Sequence, residues 1–228
     1  MNPTGDIAQL EAAMAAIEAQ RPILGDAVVE SALTAMRGQL AALEGPAAPD
    51  QQRKQASVLF ADVVGFTSLS ETMDAEEVTE IINALWGRLD GVVTGHGGRI
   101  DKHIGDAVMA LWGVDTARED DPERAIRAAL AMQAEVAAFS ATLLSQHRLP
   151  ADISLALRVG INTGPVLLGR VGLTREYTAM GDTVNLANRL EHAAPLGGVL
   201  IAHNTYRHVR GVFEVRPLGA LQIRGRHE

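Results

Sequence analysis

The chain contains no cysteine, which excludes disulfides, thiolate zinc sites and cysteine nucleophiles, and fits a reducing cytoplasm. Lysine is nearly absent too: of 20 basic residues only Lys54 and Lys102 are lysines, so each of those positions asks for a reason. No apolar run approaches the roughly 20 residues that span a bilayer, and the opening Met-Asn-Pro-Thr-Gly-Asp lacks the regions of a signal peptide. The expectation is a soluble, cytoplasmic chain with no membrane partner. A net charge of −8 argues against a nucleic-acid binder held by its phosphates.

What is present fits a packed globular protein. Apolar residues make up 47% and charged residues 21% of 228, enough for one domain of ordinary size plus a short appendage. Charge is uneven: residues 1–50 carry a net −5 and residues 51–228 a net −3. Ile7, Leu10, Met14 and Ile17 recur at helical spacing, Pro22 interrupts, and Val29, Leu33, Met36, Leu40 and Leu43 form a second stripe. Its alternating steps of four and three fit either a helical hairpin packed on its own domain or a dimerising, signal-transmitting element. Gly45-Pro46-Ala47-Ala48-Pro49 reads as a linker. The expected division is therefore a helical segment over 1–44, a linker over 45–55 and a main domain over 56–228.

Within the main domain, strand and helix patterns alternate. Ser57–Val64 reads as a buried strand and Asp74–Val93 as a helix, with Asp74 and Glu77 at capping-box spacing. Arg99–Ile104 and Ala107–Trp112 read as strands around a tight Gly105-Asp106 turn. Pro122 to about His147 reads as an alanine-rich helix. Ile153–Ile161 and Val166–Val171 read as a further strand pair around Asn162-Thr163-Gly164. Thr183–Ala193 reads as a helix, Val199–Ala202 as a strand, and 212–224 as further strand-like runs. This order predicts an α+β sandwich, its helices covering a mainly antiparallel sheet.

Two aspartates stand at the edge of buried strands: Asp62 ends the first, and Asp106 lies in the hairpin turn. Each alone fits a turn cap. Two at neighbouring central strands suit Mg2+ or Mn2+, which bind through one or two carboxylates plus substrate phosphates. The Gly65, Phe66 and Thr67 amides precede a helix expected near Ser68 and are placed to cradle phosphate oxygens. Asn185 and Arg189, four apart, share one helix face, which on spacing alone fits a solvated polar surface equally well. Strand alternation sets Lys102 on the side of Ile100 and Ile104, an odd place for a charge without a partner, and His103 on the opposite side.

Three blocks make the pattern specific. They are Phe60-Ala61-Asp62-Val63-Val64-Gly65-Phe66-Thr67, then Lys102-His103-Ile104-Gly105-Asp106-Ala107-Val108-Met109-Ala110, then Tyr177-Thr178-Ala179-Met180-Gly181-Asp182-Thr183-Val184-Asn185-Leu186-Ala187-Asn188-Arg189-Leu190-Glu191. In order and approximate spacing they resemble the signature blocks of class III nucleotidyl cyclases, over about residues 56–226. The resemblance implies a ferredoxin-like, palm-type α/β sandwich preceded by the helical hairpin. It implies cyclic AMP formation from ATP, by in-line attack of the ribose 3′-hydroxyl on the α-phosphate with two Mg2+ or Mn2+ ions. By that likeness Asp62 and Asp106, with the Val63 carbonyl, match the metal ligands, and Asn185 and Arg189 match the pair that orients the ribose and stabilises the transition state. Lys102 matches the adenine-reading lysine. Thr178 stands where many relatives carry an adenine-selecting aspartate and resembles a threonine-type subclass that includes bicarbonate-stimulated members. Arg224 matches a phosphate-contacting lysine.

The family works as a head-to-tail homodimer with shared sites, which would place Asp62 and Asp106 on one subunit and Lys102, Asn185 and Arg189 on the other. A final strand normally follows the Arg224 motif, so a fragment of a longer protein with further domains is the expectation. Alternatives are a guanylate cyclase, because the Thr178 hydroxyl both donates and accepts, and a catalytically silent nucleotide-binding dimerisation module. Gly160, Gly164, Gly169 and Gly172 match no phosphate-loop pattern and read as hairpin-turn glycines.

Overall fold

A computed structural model of the chain describes residues 3–21, 25–44, 51–150, 152–171 and 176–219. It divides into two compact units, Met1–Gln51 and Gln52–Glu228. In the first, helices α1 (Pro3–Ala19) and α2 (Asp26–Glu44) pack on each other. Val29 and Leu33, from the stripe read in the sequence, are buried. Arg21 ties the turn by pairing with Glu18 at 2.6 Å, Glu30 at 2.8 Å and Asp26 at 3.0 Å.

The second unit runs β1 (Gln51–Val64), α3 (Phe66–Thr72), α4 (Ala75–Gly95), β2 (Arg99–Ile104), β3 (Ala107–Trp112), α5 (Asp121–Ser145), β4 (Ala156–Val171), β5 (Glu176–Met180), α6 (Asp182–Ala193), β6 (Val199–Ile201) and α7 (His203–Val209). Its sheet has the order β2-β3-β1-β4-β5, with β6 pairing β4 in parallel. The β1/β3, β2/β3 and β4/β5 pairs are antiparallel. The predicted mainly antiparallel sandwich is therefore the fold.

Strand alternation gives the sheet two apolar faces. Leu59, Ala61 and Val63 of β1, with Val108, Ala110 and Trp112 of β3, pack against α4 and α5 in the larger core. Trp86 and Trp112 both lie in it. Helix α5 is long and apolar enough by composition to cross a membrane, yet Ala125, Ala129, Met132 and Val136 are buried in this core. Val58, Phe60, Met109 and Leu111 face the other way, toward Leu168, Ala179 and Ala187. Asp62 follows Phe60 by two residues and shares its face.

The structure corrects four expectations. Residues 153–171 do not form a hairpin, because β4 is one strand through Asn162-Thr163-Gly164. Its glycines admit a helix rather than a turn: a Cβ on Gly160 would lie 2.1 Å from the Glu191 N and 2.3 Å from the Ala187 O, and one on Gly164 2.7 Å from Thr183 Oγ1. The partner of β4 is instead β5, inside the third sequence block. Residues 212–219 form no strand, and Pro217 supplies no N–H to a ladder there; the remainder of that run, with Arg224, lies outside the described residues. Asp74 occupies the N-cap of α4 without a side-chain hydrogen bond, and the first turn closes through Val78 N to Asp74 O at 3.0 Å. Finally, β2 shifts register between Ile100 and Lys102. Lys102 consequently shares a face with Ile104 but not with Ile100, whereas His103 does point the opposite way, its ring tilted against that of Trp86 with centroids 4.9 Å apart.

The helix–strand approach at Gly160 gives a stability test. The atoms a new Cβ would strike belong to backbone and cannot swing aside. Gly160→Ala is expected to cost about 1–3 kcal/mol of overpacking, read as a lower denaturation midpoint; an unchanged midpoint would contradict the contact.

Candidate active site

The end of β1 and the β2–β3 turn bring two carboxylates together. Asp62 pairs across the ladder with Ala107, and Val63 N donates to Asp106 O at 3.0 Å. Gly105, with φ at +64°, takes the left-handed position that the turn before Asp106 requires. Both aspartates are half-buried. The Asp62 carboxyl is pushed above the ordinary aspartate range, first by burial and then by the charge of Asp106, while Arg158 and His192 oppose the shift. A pair of like charges held this way is a place where a cation would relieve both burial and repulsion. Among the described residues no cluster of three or more His, Asp or Glu side chains could hold a metal ion. The pair thus suits an ion that takes its remaining oxygens from a substrate and from main-chain carbonyls. The Val63 side chain is buried in the core, which leaves only its main chain for that purpose.

The sign of the Asp62 shift yields an expectation. A carboxyl whose folded value lies above its unfolded value contributes stability that is complete below the unfolded value and lost as pH rises through the folded one. Above the folded value the metal-free fold carries a partly desolvated charge at Asp62. Asp62→Asn is therefore expected to melt at or above the wild-type temperature at pH 7 in chelator, the two converging as pH falls into the carboxylate range. A variant that melts lower at pH 7 would contradict this electrostatic account.

Gly65 caps α3 with φ at +100°, and a Cβ there would lie 2.9 Å from Ser154 O. No larger residue fits without strain. Helix α3 begins at Phe66, two residues earlier than expected, and the Phe66 ring packs against the larger core. Main-chain amides, not the ring, are what this segment offers a ligand; the Thr67 side chain lies outside the description.

A second cluster forms where β2 meets β5. Thr178 Oγ1 donates to Asp101 Oδ2 at 2.5 Å, and Lys102 Nζ lies 3.8 Å from the same oxygen. The two strands sit at opposite ends of the sheet order, so the sheet curls to close this contact. Lys102 and Thr178, singled out separately in the sequence, are thereby brought together.

Helix α6 presents Asn185 and Arg189 on one side and buries Thr183, Ala187, Leu190 and Glu191 on the other. Asn185 is exposed and Arg189 half-buried. The expected shared face is thus present; Asn185 N donates to Gly181 O at 3.1 Å, but the Asn185 and Arg189 side chains make no hydrogen bond or ion pair among the described residues.

Sequence reasoning missed two features. Asp101 was passed over beside Lys102, although a second charge in a short strand was itself a signal. Glu191 is 3% exposed, and His192 Nδ1 lies 2.6 Å from its Oε2. Its carboxyl is raised above the usual range by burial foremost, His192 opposes this, and the Asp62 charge adds to it. Arg158 and His192 therefore act on both Asp62 and Glu191, opposing the rise of each.

A curled, mainly antiparallel sheet that carries two carboxylates at adjacent central strands is the layout of a palm-type catalytic domain. Residues 48–228 match the model described as the adenylate and guanylate cyclase catalytic domain. Over 178 residues the chain is 34% identical to Adenylate cyclase 1 of Rhizobium meliloti (strain 1021), which covers 76% of this chain and 26% of that protein. The crystal structure of the adenylyl cyclase CyaB from P. aeruginosa matches with a TM-score of 0.74 at 35% identity, over 78% of this chain and 91% of that one. The guanylate cyclase domain of RhGC from Catenaria anguillulae, in complex with GTP, matches with a TM-score of 0.68 at 29% identity, over 76% and 92%. The chain belongs to the adenylate and guanylate cyclase catalytic-domain family. It spans about a quarter of the length of the Rhizobium relative.

Proposed function

We propose that this chain is an adenylate cyclase, converting ATP to 3′,5′-cyclic AMP and pyrophosphate at sites shared across a head-to-tail homodimer. The observation that carries the reading is the half-buried pair Asp62 and Asp106, brought together by the end of β1 and the β2–β3 turn, where burial and the Asp106 charge raise the Asp62 carboxyl. Asp62, Asp106 and the Val63 carbonyl would hold two Mg2+ or Mn2+ ions. Bound there, the ions supply Lewis acidity toward the 3′-hydroxyl and charge neutralisation on the triphosphate.

The chain's own side chains do the rest. Lys102 and Thr178 bind the adenine. Asn185 orients the ribose so that the 3′-oxygen lies in line with the α-phosphorus and the departing pyrophosphate. The Arg189 guanidinium meets the charge that develops on the α-phosphoryl oxygens. Amides of Gly65, Phe66 and Thr67 at the start of α3 take phosphate oxygens, as helix N-termini do, and Arg224 adds a further phosphate contact. The new 3′-O–P bond forms as the α–β P–O bond breaks, and the hydroxyl proton leaves to solvent.

The second reading is a guanylate cyclase, favoured by the hydroxyl at position 178 and by the likeness to a GTP-bound domain. The two separate on one comparison: kcat/KM with ATP against GTP in Mn2+. The adenylate reading expects ATP to be preferred by at least about tenfold, since a misplaced donor or acceptor at a base edge costs on the order of 1–3 kcal/mol. Equal or reversed preference would contradict it.

A further inference from the structure

We propose that Asp101 is a positioning residue that sets which purine the site accepts, by fixing the direction of the Thr178 hydroxyl. The inference rests on the reading of Lys102 and Thr178 as the base-recognition pair. A free hydroxyl is ambiguous, able to donate one hydrogen bond and to accept others. Here it is not free. Thr178 Oγ1 donates to Asp101 Oδ2 at 2.5 Å, and a hydroxyl has one proton only. The single hydroxyl proton is therefore directed at Asp101, and Thr178 Oγ1 keeps only lone pairs for a ligand.

The carboxylate is held for this task. The register shift between Ile100 and Lys102 leaves Asp101 as the extra residue of β2, on the side that meets β5. The Asp101 side chain is 1% exposed, and Lys102 Nζ lies 3.8 Å from the oxygen that Thr178 engages. Its other oxygen, Oδ1, is buried with no hydrogen-bond partner, a costly arrangement that calls for a compensating role. Asp101 is too enclosed to touch a base and acts through Thr178.

The consequence is a purine filter. At position 6 adenine carries an amino donor and guanine an oxo acceptor. An acceptor-only Thr178 pairs with the amino group and sets lone pair against lone pair for the oxo group. Sites built this way discriminate strongly, because the wrong base leaves enclosed polar atoms unpaired. Without Asp101 the hydroxyl can turn and donate, so both bases are served.

The test measures kcat/KM for ATP and for GTP on the full chain in Mn2+, in wild type, Asp101→Leu and Asp101→Asn, with thermal melting as the check on folding. Leucine removes every acceptor, and asparagine keeps the shape while adding a donor. The inference expects the ATP-to-GTP ratio to fall by about tenfold or more in at least one folded variant, through improved use of GTP. A general structural defect would lower both nucleotides together and leave the ratio intact. A ratio within about threefold of wild type in both variants overturns the inference while the base-recognition reading stands. A wild-type chain that shows no preference between the nucleotides overturns that reading itself, and the wild-type arm alone reveals it.

Discussion

Asp106→Ala is expected to lower cyclic-nucleotide formation by roughly 10³-fold or more while leaving the fold in place. The magnitude follows from what a metal ligand controls: an ion in this position supplies several kcal/mol of charge stabilisation, and each ~1.4 kcal/mol is tenfold in rate. The selectivity follows from the local structure. The turn is held by the Asp106 carbonyl, which accepts from Val63 N, and by the positive φ of Gly105. Neither depends on the Asp106 carboxylate. Its removal also relieves the repulsion that raises Asp62, so the variant should melt no lower than wild type in chelator. Rate and melting temperature, measured together, check the claim. A variant that keeps a tenth or more of wild-type turnover would mean that Asp106 holds no essential ion.

Arg189→Ala is expected to lower kcat by roughly 10²–10³, the usual effect of losing one transition-state donor, with little change in KM. The split matters more than the size. Loss of uniform binding raises KM alone, whereas loss of a contact made only in the transition state lowers kcat. The structure favours a clean result, because α6 is anchored through its opposite face, where Ala187 and Glu191 press on Gly160. Arg189 is half-buried on the outer side, with no internal ion pair among the described residues to lose. Asp106→Ala and Arg189→Ala also form a pair. If the site is shared across the dimer, mixing the two inactive variants at equal amounts restores about a quarter of wild-type activity, since about half the dimers are mixed and each holds one intact site of two. An effect of Arg189→Ala on KM alone would remove it from the chemistry.

The parts of the fold that were legible in the sequence are those set by local pattern. The β2–β3 hairpin stands at the expected residues because two short strand-like runs flank a Gly-Asp turn, and Asp62 with Asp106 could be paired from that reading alone. What was misread depends on distant contacts. Gly160 and Gly164 look like turn residues in a one-dimensional reading, but they are bare because α6 lies directly on the strand. No pattern within 153–171 states that. The side of Lys102 was misassigned for a similar reason. Alternation presumes a regular ladder, and the register shift after Ile100 adds one residue. Asp101 escaped notice because its partner Thr178 is 77 positions away and meets it only when the sheet curls. The Asn185–Arg189 face, set by helical geometry, stands where spacing put it.

The most direct measurement of the central claim follows the fate of ATP. The full chain is incubated with ATP and Mn2+, and the products are separated and counted. Two carboxylates holding cations against a triphosphate predict cyclic AMP and pyrophosphate in equal amounts, with neither formed when the metal is chelated or when Asp62 is replaced by alanine. Intact ATP, or ADP and phosphate in place of a cyclic product, would contradict the account.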